Sequence, residues 1–133
     1  MKQVSIFAEN KKGALHKILS ALSAAGVNIA GFVTNDSAEF GIIRMVTSDV
    51  DKAEELLEKS GYLYKVSDVL GVEIEDEPGA LNALLEALLH MNINVDYLYI
   101  SYNRENAKPI MVLQVPSLTE VASSLENQGF HIV

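Results

Sequence analysis

Asn10, Gly13 and Asn28 offer the chemical groups that bind an α-amino acid. Asn10 stands three residues before Gly13, in a polar segment typical of a turn, and a helix is predicted to follow. An asparagine amide both donates and accepts hydrogen bonds, and the first N–H groups of a helix favour a carboxylate. Asn28 opens the next strand, so we expect its side chain to face the same crevice.

The same groups recur in the second half of the chain. Gly13 is matched by Gly79 and Asn28 by Asn94, and the offset is 66 residues in both pairs (79 − 13 and 94 − 28). Asp76 takes the position of the first asparagine, which places a carboxylate beside any ligand carboxylate. One unit is therefore duplicated, and we expect its two sites to differ, with the first favoured for a free amino acid.

A structural interpretation of the same residues also stays open. Asparagine or aspartate before a helix is commonly a cap that satisfies the first N–H groups. Asn28 and Asn94 follow predicted helix ends, where they suit a turn equally well. Spacing alone does not decide between a cap and a ligand site.

The elements that position these groups follow the order β-α-β-β-α-β in each half. Alternating apolar residues over 3–8 predict a half-buried strand, and the apolar spacing from Leu15 to Leu22 predicts an amphipathic helix that Gly26 ends. The other elements expected in the first half are strands over 27–34, 40–47 and 62–66, a turn over 35–37, and a helix over 49–59 that Ser48 or Asp49 caps. Those expected in the second half are strands over 69–74, 93–102, 110–115 and 130–133, helices over 80–90 and 118–127, and a hairpin loop over 103–108.

This element order is typical of the split βαβ, ferredoxin-like fold. We therefore predict an α+β protein of two ferredoxin-like domains, 1–67 and 68–133, each an antiparallel four-stranded sheet with both helices on one face. Two strands, at 42–46 and 95–100, are apolar on both sides. Because a sheet covered on one side should alternate more cleanly, these strands indicate a further contact surface.

Composition excludes several classes of protein. The chain has no cysteine, which excludes disulfides and thiolate sites and fits a cytoplasmic location. Its net charge of −8 argues against nucleic-acid binding, and no apolar run approaches the length of a membrane span. Residues 71–133 carry two basic and nine acidic residues and so hold −7 of that charge, which makes the second half a poorer receptor for an anion.

Catalysis finds little support in the sequence. His16, His90 and His131 lie far apart, and none has a second histidine or carboxylates at the spacing of metal ligands. Neither a nucleophile elbow nor a phosphate-binding loop is present. We therefore expect no enzyme activity, no metal site and no cofactor, although an enzyme with a ferredoxin-like fold remains a third hypothesis.

The duplicated turn and strand start resemble those of ACT domains. Each copy has a turn that is similar to D/N-x-P-G-x-L and a strand start that is similar to G-x-N-I, and the whole chain resembles small proteins made of two ACT domains. ACT domains are regulatory modules that bind amino acids, commonly at interfaces between paired domains. The resemblance implies a non-enzymatic regulatory protein that binds a free amino acid at ACT domain interfaces, forms a homodimer, and has an amino-acid biosynthetic enzyme as a candidate partner.

The resemblance also implies which residues contact the ligand. Lys12 stands where the family usually has proline, which leaves the first turn less rigid. The implied contacts are Asn10, Lys12, Gly13, Ala14, Leu15, Asn28 and Ile29 in the first copy, and Asp76, Gly79, Ala80, Leu81 and Asn94 in the second. The alternative function is a regulatory or scaffolding subunit that docks onto a biosynthetic enzyme without binding a ligand, which the strands that are apolar on both sides favour.

Overall fold

The computed structural model describes residues 1–35 and 40–133, which form two compact units. One unit is Lys2–Asp68, and the other is Val69–Val133 together with Met1. Each has the element order β-α-β-β-α-β and one antiparallel four-stranded sheet, which confirms the predicted α+β, ferredoxin-like fold. No helix within the described ranges is long and apolar enough to cross a membrane.

The first unit has its strands in the spatial order β2-β3-β1-β4. Its elements are β1 Lys2–Glu9, α1 Ala14–Ala24, β2 Ile29–Asn35, β3 Phe40–Thr47, α2 Val50–Lys59 and β4 Leu63–Asp68. β1 runs antiparallel to β3, with Ala8 opposite Gly41, so the start of β3 lies beside the end of β1. Of the predicted turn, Asn35 ends β2, whereas Asp36 and Ser37 lie outside the described residues.

Both helices of the first unit cover the same face of its sheet. Val4, Ile6 and Ala8 alternate along β1 and are buried with Ile18 of α1 and Leu57 of α2 in one apolar cluster. Residues at alternate positions of a strand point to one face, so the two helices share that face. The turn over residues 10–13 connects the end of β1 to the start of α1.

The second unit repeats this design with the strand order β6-β7-β5-β8. Its elements are β5 Leu70–Glu73, α3 Ala80–His90, β6 Tyr97–Tyr102, β7 Pro109–Gln114, α4 Leu118–Asn127 and β8 His131–Ile132. The strand predicted over 93–102 begins only at Tyr97. Asn94 instead donates from Nδ2 to Asp96 Oδ1 at 3.1 Å, and such local side-chain bonds compete with strand pairing.

Glycine is required at the two turns that begin α1 and α3. Gly13 has φ +84° and Gly79 has φ +90°, which is the left-handed region that glycine adopts without strain. Each glycine is the last residue before its helix. The prediction of a sharp glycine turn between strand and helix in both halves is therefore confirmed.

Candidate functional site

Glycine occupies the N-cap position of α1 and α3, so the N-cap residue supplies no capping side chain there. By contrast, Asp49 caps α2 by accepting a hydrogen bond from the Lys52 N–H at 3.0 Å, as predicted. Asn10 and Asp76 are therefore not the N-cap residues of these helices. The first N–H groups of a helix have no acceptor within the helix, so those of α1 and α3 need an acceptor from the turn, from a ligand or from water.

One N–H group at each of these turns is already used. The Ala14 N–H donates to the Lys11 carbonyl at 3.2 Å, and the Ala80 N–H donates to the Glu77 carbonyl at 3.3 Å. The first helical amide is therefore engaged by the turn in both copies. A ligand carboxylate would meet the next N–H group, which in α1 belongs to Leu15.

A hollow of about 270 Å³ with both polar and apolar lining residues lies beside the start of α1, and we call it the first hollow. Three of the predicted contacts, Asn10, Ala14 and Leu15, line it. Lys12 and Gly13 belong to the same turn but do not line the hollow. The first hollow is lined by Ala8, Glu9, Asn10, Lys11, Ala14, Leu15, Thr34, Asn35, Gly41 and Ile43.

The far wall of the first hollow comes from the β2–β3 hairpin, which sequence reasoning missed. Thr34 and Asn35 end β2, while Gly41 and Ile43 belong to the start of β3. A Cβ atom at Gly41 would lie 3.3 Å from the Asn35 carbonyl oxygen, so glycine permits this close approach. The signal available in the sequence was the split βαβ order itself, because it pairs β3 antiparallel with β1.

Asn28 does not share the crevice of Asn10 within one unit. The 11 residues of α1 separate the two turns, a length of about 16 Å. Asn28 Oδ1 accepts from the Ile29 N–H at 2.9 Å, and the Asn28 N–H donates to Ser48 Oγ at 2.9 Å. Asn28 and Ile29 line a separate depression together with Gly26. The expectation of a shared crevice is wrong, because successive turns lie at opposite ends of the helix between them.

An apolar hollow of about 410 Å³ lies at the matching place of the second unit, and we call it the second hollow. Three of the residues predicted to contact a ligand, Asp76, Ala80 and Leu81, line it, whereas Gly79 does not. Asn94 is exposed and lies outside this lining. The second hollow is lined by Ile74, Glu75, Asp76, Glu77, Ala80, Leu81, Leu98, Ile100, Pro109 and Met111.

The two hollows differ in the charge of their turns. Residues 9–13 carry one acidic and two basic side chains, a sum of +1, and Glu9 is paired with Lys11 at 3.1 Å. Residues 75–79 carry three acidic side chains, a sum of −3. Lys108 pairs with only one of these, Glu75. The first turn therefore suits an anionic group and the second a cationic one.

The two hollows also differ in the polarity of their walls. Thr34 of the first hollow is replaced by Ile100, which faces the helices because it pairs with Met111 of the apolar cluster. The side chain of Ile100 remains 45% exposed. Ala8 and Gly41 are likewise matched by larger apolar residues in the second copy.

A carboxylate next to the second hollow holds the hairpin loop 103–108. The Glu73 side chain is 7% exposed and accepts hydrogen bonds from Asn103 Nδ2 at 2.8 Å and Asn106 Nδ2 at 3.1 Å. The His131 Nδ1 atom lies 3.6 Å from Glu73 Oε1. The Asn103 hydrogen bond, with smaller contributions from Asn106 and His131, lowers the pKa of Glu73. The hydrogen bond and charge of Glu75 raise the pKa of Lys108. Across the described residues, no three His, Asp or Glu side chains are grouped to hold a metal ion.

Comparison with known proteins gives a family and a fold. A family model described as an ACT domain pair matches residues 1–122. The crystal structure of a protein from Bacteroides thetaiotaomicron is 29% identical in sequence, with a TM-score of 0.90 over 99% of this chain and 90% of that one. None of the curated protein sequences matches this chain.

Two further crystal structures have a similar fold. The regulatory subunit of aspartate kinase from Thermus thermophilus, in its ligand-free form, has a TM-score of 0.70 and 14% identity over 95% of this chain and 91% of that one. The regulatory subunit from Thermus flavus has a TM-score of 0.62 and 18% identity over 93% of this chain and 92% of that one. At these identities the similarity concerns the fold alone.

Proposed function

Because the chain belongs to the family of ACT domain pairs, we propose that it is a cytoplasmic, non-enzymatic regulatory protein that binds a free amino acid. ACT domains are regulatory rather than catalytic modules. The proposed site is the first hollow. The observation that carries the proposal is a helix start without an N-cap side chain, next to a hollow that Asn10 lines.

The chemistry of the first hollow matches both ends of an α-amino acid. The ligand carboxylate would accept from the Leu15 N–H at the positive end of α1. The ligand ammonium group would donate to the amide oxygen of Asn10 or the hydroxyl of Thr34. A volume of about 270 Å³ lies just below the range of drug-sized pockets and so suits a small metabolite.

We further propose that a second copy of the chain completes this site. β2 is an edge strand with β3 as its neighbour in the sheet, and it carries Phe32, which is 47% exposed. Asn28 lies at the opposite end of α1 from Asn10, so it reaches a ligand there only if it belongs to another copy. In such a homodimer, ligand binding would favour association and thereby report the metabolite level.

Calorimetric titration of the whole chain with the common amino acids tests the proposal. We expect one of them to bind, and we expect Asn10→Ala to weaken that binding by about fivefold or more, since it removes a hydrogen bond to a charged group. Asn127→Ala is the matched control, because Asn127 is exposed at the end of α4 in the other unit.

Asn28→Ala separates a site within one unit from a site completed by a second copy. Weaker binding in this variant, together with ligand-dependent dimerisation in light scattering, supports completion by a second copy. Unchanged binding restricts the site to one unit. The absence of heat and of a thermal shift with every amino acid contradicts the proposed function.

The alternative of a docking subunit is favoured by apolar side chains on the edge strands. Phe32 on β2 is 47% exposed and Tyr102 on β6 is 53% exposed. Such side chains are suited to a protein interface. Co-elution of the ligand-free chain with the catalytic subunit of an amino-acid biosynthetic enzyme, abolished by Phe32→Lys or Tyr102→Lys, supports this alternative.

A further inference from the structure

We infer that the second hollow binds a small apolar amine, that is, a ligand with a hydrocarbon part and a protonated amino group but no carboxylate. This inference rests on the proposed function, because it takes the duplicated strand–helix turn to be a ligand site. It assigns different ligand classes to the two hollows. Duplication supplied the same backbone twice, and the side chains around it now differ in two independent respects.

The first respect is the wall. Leu98, Ile100 and Met111 line the second hollow, and Ile100 keeps 45% of its surface exposed on the side that faces the helices. The matching position in the first hollow is Thr34. A hydrocarbon group that covers Ile100 removes apolar surface from water, which favours binding in proportion to the area covered. The volume of about 410 Å³ accommodates a branched aliphatic or aromatic group.

The second respect is the charge of the turn residues Glu75, Asp76 and Glu77, which we call the mouth of the second hollow. Asp76 and Glu77 line the second hollow, and neither side chain has a hydrogen-bond or ion-pair partner among the residues that the structure describes. Glu75 is paired with Lys108. Two uncompensated carboxylates attract an ammonium group and repel a carboxylate. The start of α3 carries a positive charge equivalent to about +0.5, which offsets only part of these two negative charges. An ammonium group is therefore still favoured at the second hollow, and a ligand carboxylate is disfavoured.

Leucine and isopentylamine form a matched pair of probes, because they have the same side chain and differ by the carboxylate. Methyl NMR on the whole chain distinguishes the two hollows, since Ile100 and Met111 report on the second and Ile43 on the first. We expect isopentylamine to shift the Ile100 and Met111 signals saturably. We expect leucine to require about tenfold higher concentration at these positions, because its carboxylate lies near like charges.

Variants that restore first-hollow residues test the two respects separately. Asp76→Asn should weaken amine binding by about two- to fivefold, the range for one exposed charge pair, and added salt should weaken it further. Ile100→Thr should weaken it by about fourfold or more, since it replaces an ethyl group by a hydroxyl and so removes the apolar contact of at least one methylene. Glu86→Gln is the control: it removes a negative charge from the exposed face of α3 without touching the hollow.

The results separate this inference from the proposed function. Three outcomes overturn the inference: no shift of Ile100 and Met111 with the amine, equal binding of leucine there, or unchanged amine affinity in Asp76→Asn. None of these outcomes concerns amino-acid binding at the first hollow, which the Ile43 signal reports. Loss of amino-acid binding at the first hollow, with the amine still bound at the second, instead contradicts the proposed function alone.

Discussion

Replacing Gly13 tests the turn on which the first hollow depends. Gly13 has φ +84°, and a Cβ atom added there would meet nothing within 4 Å. The cost of Gly13→Ala is therefore backbone strain without a steric clash. Left-handed backbone costs an L-residue about 1–2 kcal/mol. Alanine also restricts the unfolded chain, which offsets about 0.4–1 kcal/mol. The net destabilisation expected for the unit Lys2–Asp68 is thus about 1 kcal/mol.

This magnitude is measurable in a unit of that size. A change of 1 kcal/mol shifts the midpoint of thermal unfolding by about 4–8 °C in a domain of 60–100 residues. Urea unfolding followed by hydrogen exchange of the α1 amides assigns the effect to the first unit, because those amides report its opening. We expect Gly13→Ala to lower the urea concentration at the midpoint of unfolding and to leave the dependence of the unfolding free energy on urea concentration unchanged.

Gly13→Asn is the control, because asparagine tolerates left-handed backbone better than other non-glycine residues. It should cost less than half as much as alanine. If the Gly13→Ala variant is as stable as the wild type, the turn does not require a positive φ, and Gly13 does not determine the conformation of the helix start. If asparagine and alanine cost the same, the loss has a cause other than backbone conformation.

Three further predictions concern stability. Asp49→Ala removes the cap on the Lys52 N–H and should destabilise the first unit by about 1 kcal/mol in urea unfolding. Asp49→Ser should retain most of the stabilisation that the cap provides. Leu84→Ala opens a cavity at a fully buried position and should cost the second unit about 2–5 kcal/mol in the same assay. The folded state lowers the pKa of Glu73, so its stabilisation is present above the ordinary glutamate pKa of about 4.3 and is lost as pH falls through the lower folded value. Glu73→Gln should therefore lose less stability than the wild type between neutral and acidic pH, and equal losses would show that Glu73 does not contribute.

Local sequence signals were sufficient for the order of elements and for the turns. Glycine at positive φ, an aspartate before a helix and the spacing of apolar residues each reflect short-range physics. Gly13, Gly79 and Asp49 consequently adopt the conformations and contacts expected of them. The strand expected from residue 93 failed for a local reason as well, since the Asn94–Asp96 hydrogen bond delays its start to Tyr97.

The composition of the hollows required information that local patterns do not hold. Thr34 and Gly41 reach the first hollow because β3 pairs antiparallel with β1, a contact between residues more than 30 positions apart. Asn28 was placed in that hollow from its position after α1, although a helix of 11 residues moves it to the other end of the unit. The β-α-β order itself puts the turn before α1 and the turn after it at opposite ends of that helix, which separates Asn28 from Asn10.

Duplication makes the comparison of the two hollows more informative than either hollow alone. Drift without selection for a ligand would alter mouth and wall independently of one another. Both differ between the two copies, and in the second copy both suit a single ligand class: Asn10 corresponds to Asp76 and Lys11 to Glu77, while Thr34 corresponds to Ile100. Exposed acidic side chains alone bind a cation only weakly. Apolar lining residues alone bind a hydrocarbon group whether or not the ligand is charged. Together they select an apolar amine, so the double variant Asp76→Asn with Glu77→Lys should reverse the preference between isopentylamine and leucine at Ile100.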